Sequence, residues 1–172
     1  MDEENTVQAL KDGDMSAVDL LYNTYAKNAL RTAFLITSDH YLAEDVLQET
    51  FIQCIKSIKT LKNNAAFKPW FYTVLVRTAY KVIKHKKHFV PAEDIYDKAD
   101  TAVYDTYPSE NSRILDCIKK LKPVLRSTVV LFYYNELTVK EISRIMQCPQ
   151  GTVKSRLNTA RKILKKEFKE DF

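Results

Sequence analysis

Gly13 and Gly151 are the only glycines in 172 residues, and there are five prolines. A many-stranded sheet needs a tight turn between successive strands, and tight turns draw on residues that tolerate positive φ. So few turn-formers argue against β architectures and for helices joined by short polar connections. The apolar residues agree, because they recur at helical spacing. Val18, Leu21, Tyr22, Tyr25, Ala29, Leu30 and Ala33 trace one face of a helix expected over residues 15–36. Ala43, Val46, Leu47, Thr50, Cys54, Ile55 and Ile58 do the same over 40–61. A short helix is expected over 6–10, with Asp14 or Ser16 capping the next one. Thr37, Ser38 and Asp39 break the pattern and offer three capping side chains. Further helices are expected over 67–88, 110–120 and 123–134. The last is expected despite its β-branched residues, because its length and helical neighbours outweigh local propensity.

Residues 137–164, LTVKEISRIMQCPQGTVKSRLNTARKIL, read as two short helices with a tight turn between them. Thr138 and Glu141 have capping-box spacing. Val139, Ile142 and Ile145 form a buried stripe, Gln147 and Cys148 interrupt it, and Pro149 suits the first turn of the next helix. Val153, Leu157, Ala160 and Leu164 line one side of that helix. Gln150, Lys154, Arg161 and Lys165 lie opposite, with Arg156 and Lys162 on the flanks. Residues 149–169 hold seven Lys/Arg against one acid, Glu167. A small apolar body, a tight turn and a cationic outer face suit a helix-turn-helix that lays its second helix in a major groove. The plainer alternative is an amphipathic helix pair with a solvated basic face. The turn together with the density of base favours DNA.

Charge divides the chain into modules. Residues 1–90 carry 12 basic and 10 acidic residues, 91–111 one Lys and six acids, and 112–172 14 basic and six acidic. Two positive blocks joined by an acidic connector suggest two modules that both meet phosphate. The connector has two prolines and little periodicity and reads as a tether that lies against a basic face in free protein, competing with DNA. The organisation expected is a domain over 1–90, a linker over 91–110 and a domain over 111–172, all-α, in two small helical domains.

No uninterrupted apolar run is long enough to span a bilayer. The start, MDEENTVQAL, is acidic rather than basic-then-apolar, unlike a secretory signal. Cys54, Cys117 and Cys148 are odd in number and far apart, which fits buried thiols in a reducing cytoplasm. With His85 and His88 they have no recognisable zinc-ligand spacing.

Two further stretches carry chemistry. Glu44, Asp45, Gln48 and Glu49 cluster on one side of the 40–61 helix. Acids early in a helix are favoured by its dipole without any function. They also suit general acid and base work, metal binding or the docking of a basic partner. From Thr50 to Ala92 there is no Asp or Glu but nine Lys/Arg, interleaved with Phe67, Trp70, Phe71, Tyr72 and Tyr80. Cations that follow a backbone and rings that stack on bases suit single-stranded nucleic acid. Alternatively the rings are core, with Trp70, Phe71 and Val74 inside and only the lysines facing solvent. Most are expected to be so, with Tyr72 the ring best placed to be exposed. The loop Lys62-Asn63-Asn64 is a natural place for an amide to read a base edge.

Three segments in this order and spacing, AEDVLQETF at 43–51, FKPWFY at 67–72 and GTVKSRL with the following TAR at 151–161, resemble the extracytoplasmic-function (ECF) sigma factors of the sigma-70 family. The resemblance covers roughly 19–88 and 114–168. It implies a sigma factor that directs core RNA polymerase to promoters and helps initiate transcription in response to stress or envelope signals. Asp45, Gln48 and Glu49 would dock on the β′ coiled coil, with the β subunit a further contact. Lys62, Asn63, Asn64, Phe67, Trp70, Tyr72, Arg77 and Lys81 would bind the −10 element on the unpaired non-template strand. Gln150, Thr152, Lys154, Ser155, Arg156 and Arg161 would bind the −35 duplex. The Arg, Asn and Asp usual after the family's Trp fall on Val76, Arg77 and Lys81 here. The resemblance further implies a cytoplasmic protein without catalytic residue, cofactor or metal, held by a membrane-bound anti-sigma factor and not itself inserted in the membrane.

Two rivals differ in class. A helix-turn-helix regulator would bind a palindrome as a dimer without polymerase, but it needs neither the acidic strip nor the acid-free aromatic stretch. A metal-dependent nuclease built on Glu44, Asp45 and Glu49 lacks a second separated acidic cluster.

Overall fold

The structure is a computed structural model that describes residues 2–89 and 110–170. The described residues form helices and connecting turns. In chain order these are α1 (Glu3–Lys11), α2 (Ser16–Thr37), α3 (His40–Ser57), α4 (Phe67–Phe89), α5 (Glu110–Lys120), α6 (Pro123–Val129), α7 (Val139–Ile145) and α8 (Gln150–Glu170). The acidic tether expected at 91–110 lies outside the described residues, apart from its last residue in α5, and so does its proposed contact with a basic face.

Local chemistry sets the helix ends. At the end of α1, Gly13 takes φ +96°, a conformation that few L residues adopt, and its N–H donates to the Leu10 carbonyl at 3.1 Å. Asp14 then accepts from the N–H and the hydroxyl of Ser16, at 2.9 and 2.7 Å, which holds its carboxyl below the usual carboxylate range. The cap position itself falls to Met15, which makes no side-chain bond, so neither Asp14 nor Ser16 caps α2 as expected; Ser16 instead opens the helix and donates to Asp14. Ser38 at φ +58° turns the chain out of α2, and Asp39 caps α3 by accepting from Leu42 N at 3.0 Å. The helix expected to reach residue 61 stops at Ser57 and tightens into a 3₁₀ turn, Ile58–Thr60.

The expected 123–134 helix changes form midway. After α6 the chain widens into a π-helical turn, Val130–Tyr134, closed by Asn135 N donating to the Val130 carbonyl at 3.1 Å. An apolar pattern looks the same for either winding, so sequence periodicity does not register the change.

Helices α1 to α4 enclose an aromatic core. Phe71 has ring centroids 5.0 Å from Tyr25, 5.4 Å from Phe51 and 5.9 Å from Phe67. The Tyr25 hydroxyl donates to the Glu3 carboxylate at 2.6 Å and ties α1 to α2. Burial and that carboxylate push the phenol well above its ordinary value. The second module closes α5 to α8 around Val129, Leu131, Ile142, Ile145, Val153, Leu157 and Ala160, all buried.

The buried apolar residues of the two modules join in one continuous core, and beside it the modules are bridged by a seam of polar side chains. At its centre the Thr32 hydroxyl and the Asn135 amide are buried and bonded to each other, with Asn135 Nδ2 donating at 3.0 Å. Tyr80 and Ser127 hydroxyls meet at 2.9 Å, and the Tyr134 hydroxyl donates to Asn28 Oδ1 at 3.2 Å. Arg31 lies over the Tyr134 ring, 4.8 Å from its centroid. Arg126, 8% exposed, donates from Nη1 to Ser38 Oγ at 2.7 Å and to the Lys119 carbonyl at 3.1 Å. It therefore sits between the C-terminal ends of α2 and α5, whose partial negative charge suits a cation.

This packing corrects one expectation. Tyr72 is not exposed but 2% accessible. Its hydroxyl meets Thr32, and burial raises its phenol above the ordinary value. Tyr134 of the second module lies close enough to add to that shift, while Thr32 of α2 and the Phe71 ring, both of the first module, meet Tyr72 directly.

Candidate functional site

Three surfaces gather the residues singled out in the sequence. The first is a stripe on α3. Tyr41, Asp45, Gln48 and Ile52 recur at helical spacing and are all exposed, Tyr41 by 78% and Ile52 by 44%. Glu44 is exposed beside them. Glu49 is half-buried and accepts from Gln53 Nε2 at 2.6 Å. The first turn of α3 holds no acid. The dipole acts chiefly within that first turn, so it does not explain acids that begin in the second. An acidic stripe with Tyr41 and Ile52 exposed at its ends has the chemistry to suit a basic, partly apolar partner.

The second surface runs from the loop after α3 along α4. Lys62 and Asn63 are exposed. Asn63 Oδ1 accepts from Ala65 N at 3.1 Å and starts a single 3₁₀ turn, Asn64–Ala66. Asn64 is half-buried and faces α1. Phe67, 1% exposed, is core, while Trp70 is half-buried with its ring 5.9 Å from that of Phe67. Neither Phe67 nor Tyr72 offers a free ring to a base, and Trp70 is the one ring of the FKPWFY segment with an accessible face besides its core contact. Trp70, Val74, Arg77 and Lys81 share one side of α4. Val74, Arg77 and Lys81 line a groove of about 320 Å³ between α4 and α3, with Glu49, Gln53, Ser57 and Thr78 opposite or beneath. Residues assigned to two separate roles, Glu49 on one side and Arg77 and Lys81 on the other, are thus neighbours.

The third surface is the helix-turn-helix. Glu141 N donates to Thr138 Oγ1 at 3.2 Å, and Thr138 N donates to Glu141 Oε2 at 2.8 Å, so the expected capping box forms. Gln147 takes φ +50° in the turn. Pro149 stands one residue ahead of α8, where its carbonyl accepts from Thr152 N and Val153 N at 3.0 and 3.2 Å. Gln150, Lys154, Ser155, Lys162 and Lys165 are exposed and Thr152 is half-buried. Two arginines are directed elsewhere. Arg156 donates to Cys148 Sγ at 3.4 Å and lies near enough to Tyr80 of α4 to perturb its phenol. Arg161 donates to the Tyr133 hydroxyl at 2.5 Å and lies 5.7 Å from the centre of that ring.

Sequence reasoning missed the Tyr133–Arg161 contact, the whole seam, and the bonds from α1 to the loop. Each joins residues 28 to 106 positions apart, and no spacing rule reaches that far. Among the described residues no three His, Cys, Asp or Glu converge as a metal site, and no helix is long and apolar enough to cross a membrane.

Comparison with known proteins identifies the two modules. The family description "Sigma-70 region 2" matches residues 21–89, and "Sigma-70, region 4" matches 111–164. The ECF RNA polymerase sigma-E factor of Haemophilus influenzae is 30% identical over 96% of this chain and 95% of its own length. ECF sigma factor SigM of Bacillus subtilis is 31% identical over 86% of this chain and 93% of its own length. In fold, the chain is similar to sigma factor RpoE of Bartonella quintana, solved with the anti-sigma factor NepR, at TM-score 0.78, 20% identity and coverage of 90% of this chain and 98% of that one. It is also similar to CnrH, solved with the cytosolic domain of CnrY, at TM-score 0.76, 16% identity and 99% of both chains. With both regions matched in order and the relatives aligned nearly end to end, the chain belongs to the ECF group of the sigma-70 family, the RNA polymerase sigma factors.

Proposed function

We propose that this sigma factor divides its work among the three surfaces. The α3 stripe, through Asp45, Gln48 and Glu49, docks on the β′ coiled coil of core polymerase. Lys62, Asn63, Trp70, Arg77 and Lys81 meet the unpaired −10 strand, with Asn64, Phe67 and Tyr72 acting from behind as support. Gln150, Thr152, Lys154 and Ser155 meet the −35 duplex, and Arg156 and Arg161 join them once released from Cys148 and Tyr133. Opening a duplex costs unstacking and unpairing, and a protein that holds an extruded base offsets part of that cost. Gripping paired DNA at one end and unpaired DNA at the other fixes where the duplex opens. The polymerase supplies the chemistry.

The observation that carries this reading is the division of surface charge. Exposed acids lie on α3, while exposed lysines without an intervening acid lie on the outer side of α8. A dimeric helix-turn-helix regulator has no use for the region 2 module. The domains run over 1–90 and 111–172. RpoE is solved with the anti-sigma factor NepR and CnrH with the cytosolic domain of CnrY; in support of the same reading, we take the partner set to extend to an anti-sigma factor and the site of action to be the cytoplasm.

Transcription in vitro with core polymerase on a library of promoter fragments tests the function as a whole. The expected result is a set of start sites absent with core alone. Asp45→Lys is expected to lower polymerase affinity at least tenfold in gel-filtration or fluorescence titration, leaving duplex binding by the second module unchanged. Polymerase affinity untouched by the charge reversal would move the docking surface elsewhere.

A further inference from the structure

Helix α1 lies ahead of the matched region, which begins at residue 21, and none of the three surfaces includes it. Yet it converges on the loop after α3. Lys11 Nζ donates to the Leu61 carbonyl and to Asn64 Oδ1. Asn64 Nδ2 donates in return to the Glu4 carbonyl at 3.2 Å and to Gln8 Oε1 at 3.0 Å. Gln8 is itself oriented, because its Nε2 donates to Asp12 Oδ1 at 3.0 Å. Glu4, Gln8 and Lys11 share one side of α1, and together they engage both ends of the Asn64 amide. Asn63 differs. Its Oδ1 caps the short turn, the residue is exposed, and its Nδ2 has no hydrogen-bond partner among the described residues.

We propose that α1 is a brace that presets the base-reading loop, with Lys11, Gln8 and Asn64 as positioning residues and Asn63, aided by Lys62, as the group presented to an extruded base. The inference rests on the reading of this loop as a −10 contact. A loop ordered only on binding spends part of its binding free energy on its own ordering and holds its donors loosely. A loop already fixed by charge-assisted bonds to two carbonyl oxygens discriminates between bases with donors in place. Lys11 suits the task because an ammonium on a flexible stem can satisfy two acceptors at once.

The test uses full-length chain in complex with core polymerase and a pool of single-stranded DNA randomised over six consecutive positions. Retained strands are sequenced to give a base preference at each position. Wild type is expected to show a defined preference, and Asn63→Ala to abolish it at one position. Lys11→Met is expected to flatten the preference at that same position roughly tenfold, the scale set by losing charge-assisted hydrogen bonds. Core-polymerase affinity, duplex affinity and helix content should stay at wild-type values. Lys11→Arg, which keeps the charge and the donors, should restore the preference. Gln8→Leu, at an exposed position, should give a smaller loss of the same kind and serves if Lys11→Met folds poorly. A purely structural role would lower folded fraction and all affinities together, not preference at one base. If Asn63→Ala removes the preference and Lys11→Met and Gln8→Leu both keep it, the brace is refuted and the loop reading survives. If Asn63→Ala keeps it, the loop reading falls and the brace with it.

Discussion

Cys54 and Cys148 occupy opposite surroundings. Cys54 is buried among apolar neighbours of the first module, and burial pushes its thiol up to about 12. Cys148 is half-buried in the helix-turn-helix turn, with the Arg156 guanidinium 3.4 Å from its sulfur. Only the thiolate attacks alkylating reagents. Iodoacetamide at pH 8 is therefore expected to label Cys148 long before Cys54 or Cys117, as read by peptide mass spectrometry, and equal rates would refute the assignment. The linkage has a definite sign. The folded thiol titrates above its unfolded value, so the native state keeps its proton longer. The stabilisation is whole below about pH 9 and is lost as pH rises towards 12. Replacing Cys54 by Ala should flatten the decline of stability in that alkaline window. At this scale the sequence was least legible. Asn63 and Asn64 are identical neighbours in a polar loop, and only partners 53 to 60 residues away distinguish an engaged amide from a free one. Tyr72 misled for a similar reason, because it lies beside Phe71 in a lysine-rich stretch and the hydroxyl it meets, that of Thr32, belongs to a different helix.

Whole elements were far more legible, because their causes are local. Thr138, Glu141 and the spacing from Val153 to Ala160 are enough to define α7 and α8, and the structure follows them closely. The acidic face of α3 was visible too, and the structure keeps the expected start at His40, which puts its acids beyond the first turn. Lys154 stands on the exposed side of α8 and its neighbour in space is solvent. Lys154→Ala is expected to weaken −35 duplex binding by about 1–3 kcal/mol if it reads a base edge, with the effect confined to one promoter position. A phosphate contact would instead weaken all sequences alike and lower the salt dependence. Fluorescence anisotropy across a salt series separates the two.

The modules as a pair were not legible at all, since nothing in either one announces the polar residues of the other. Their seam centres on the buried Thr32–Asn135 pair. Asn135→Ala removes the amide and leaves buried polar groups short of partners, at a cost of about 1–3 kcal/mol. The modules are then expected to separate more often, giving a larger radius of gyration by small-angle scattering. Duplex binding should tighten as Arg156 leaves the neighbourhood of Tyr80. An unchanged radius with unchanged DNA affinity would show that the packing does not limit access to α8.

Arg126 gives that joint its character. A guanidinium keeps its proton at any ordinary pH, yet this one is shut away with a hydroxyl and a carbonyl as its hydrogen-bond partners and with Nε facing no acceptor at all. Each closure must strip water from a full charge, and each parting returns it. Desolvating that charge offsets part of what the joint gains from its other contacts, so the clasp holds less firmly than an uncharged one of the same shape would.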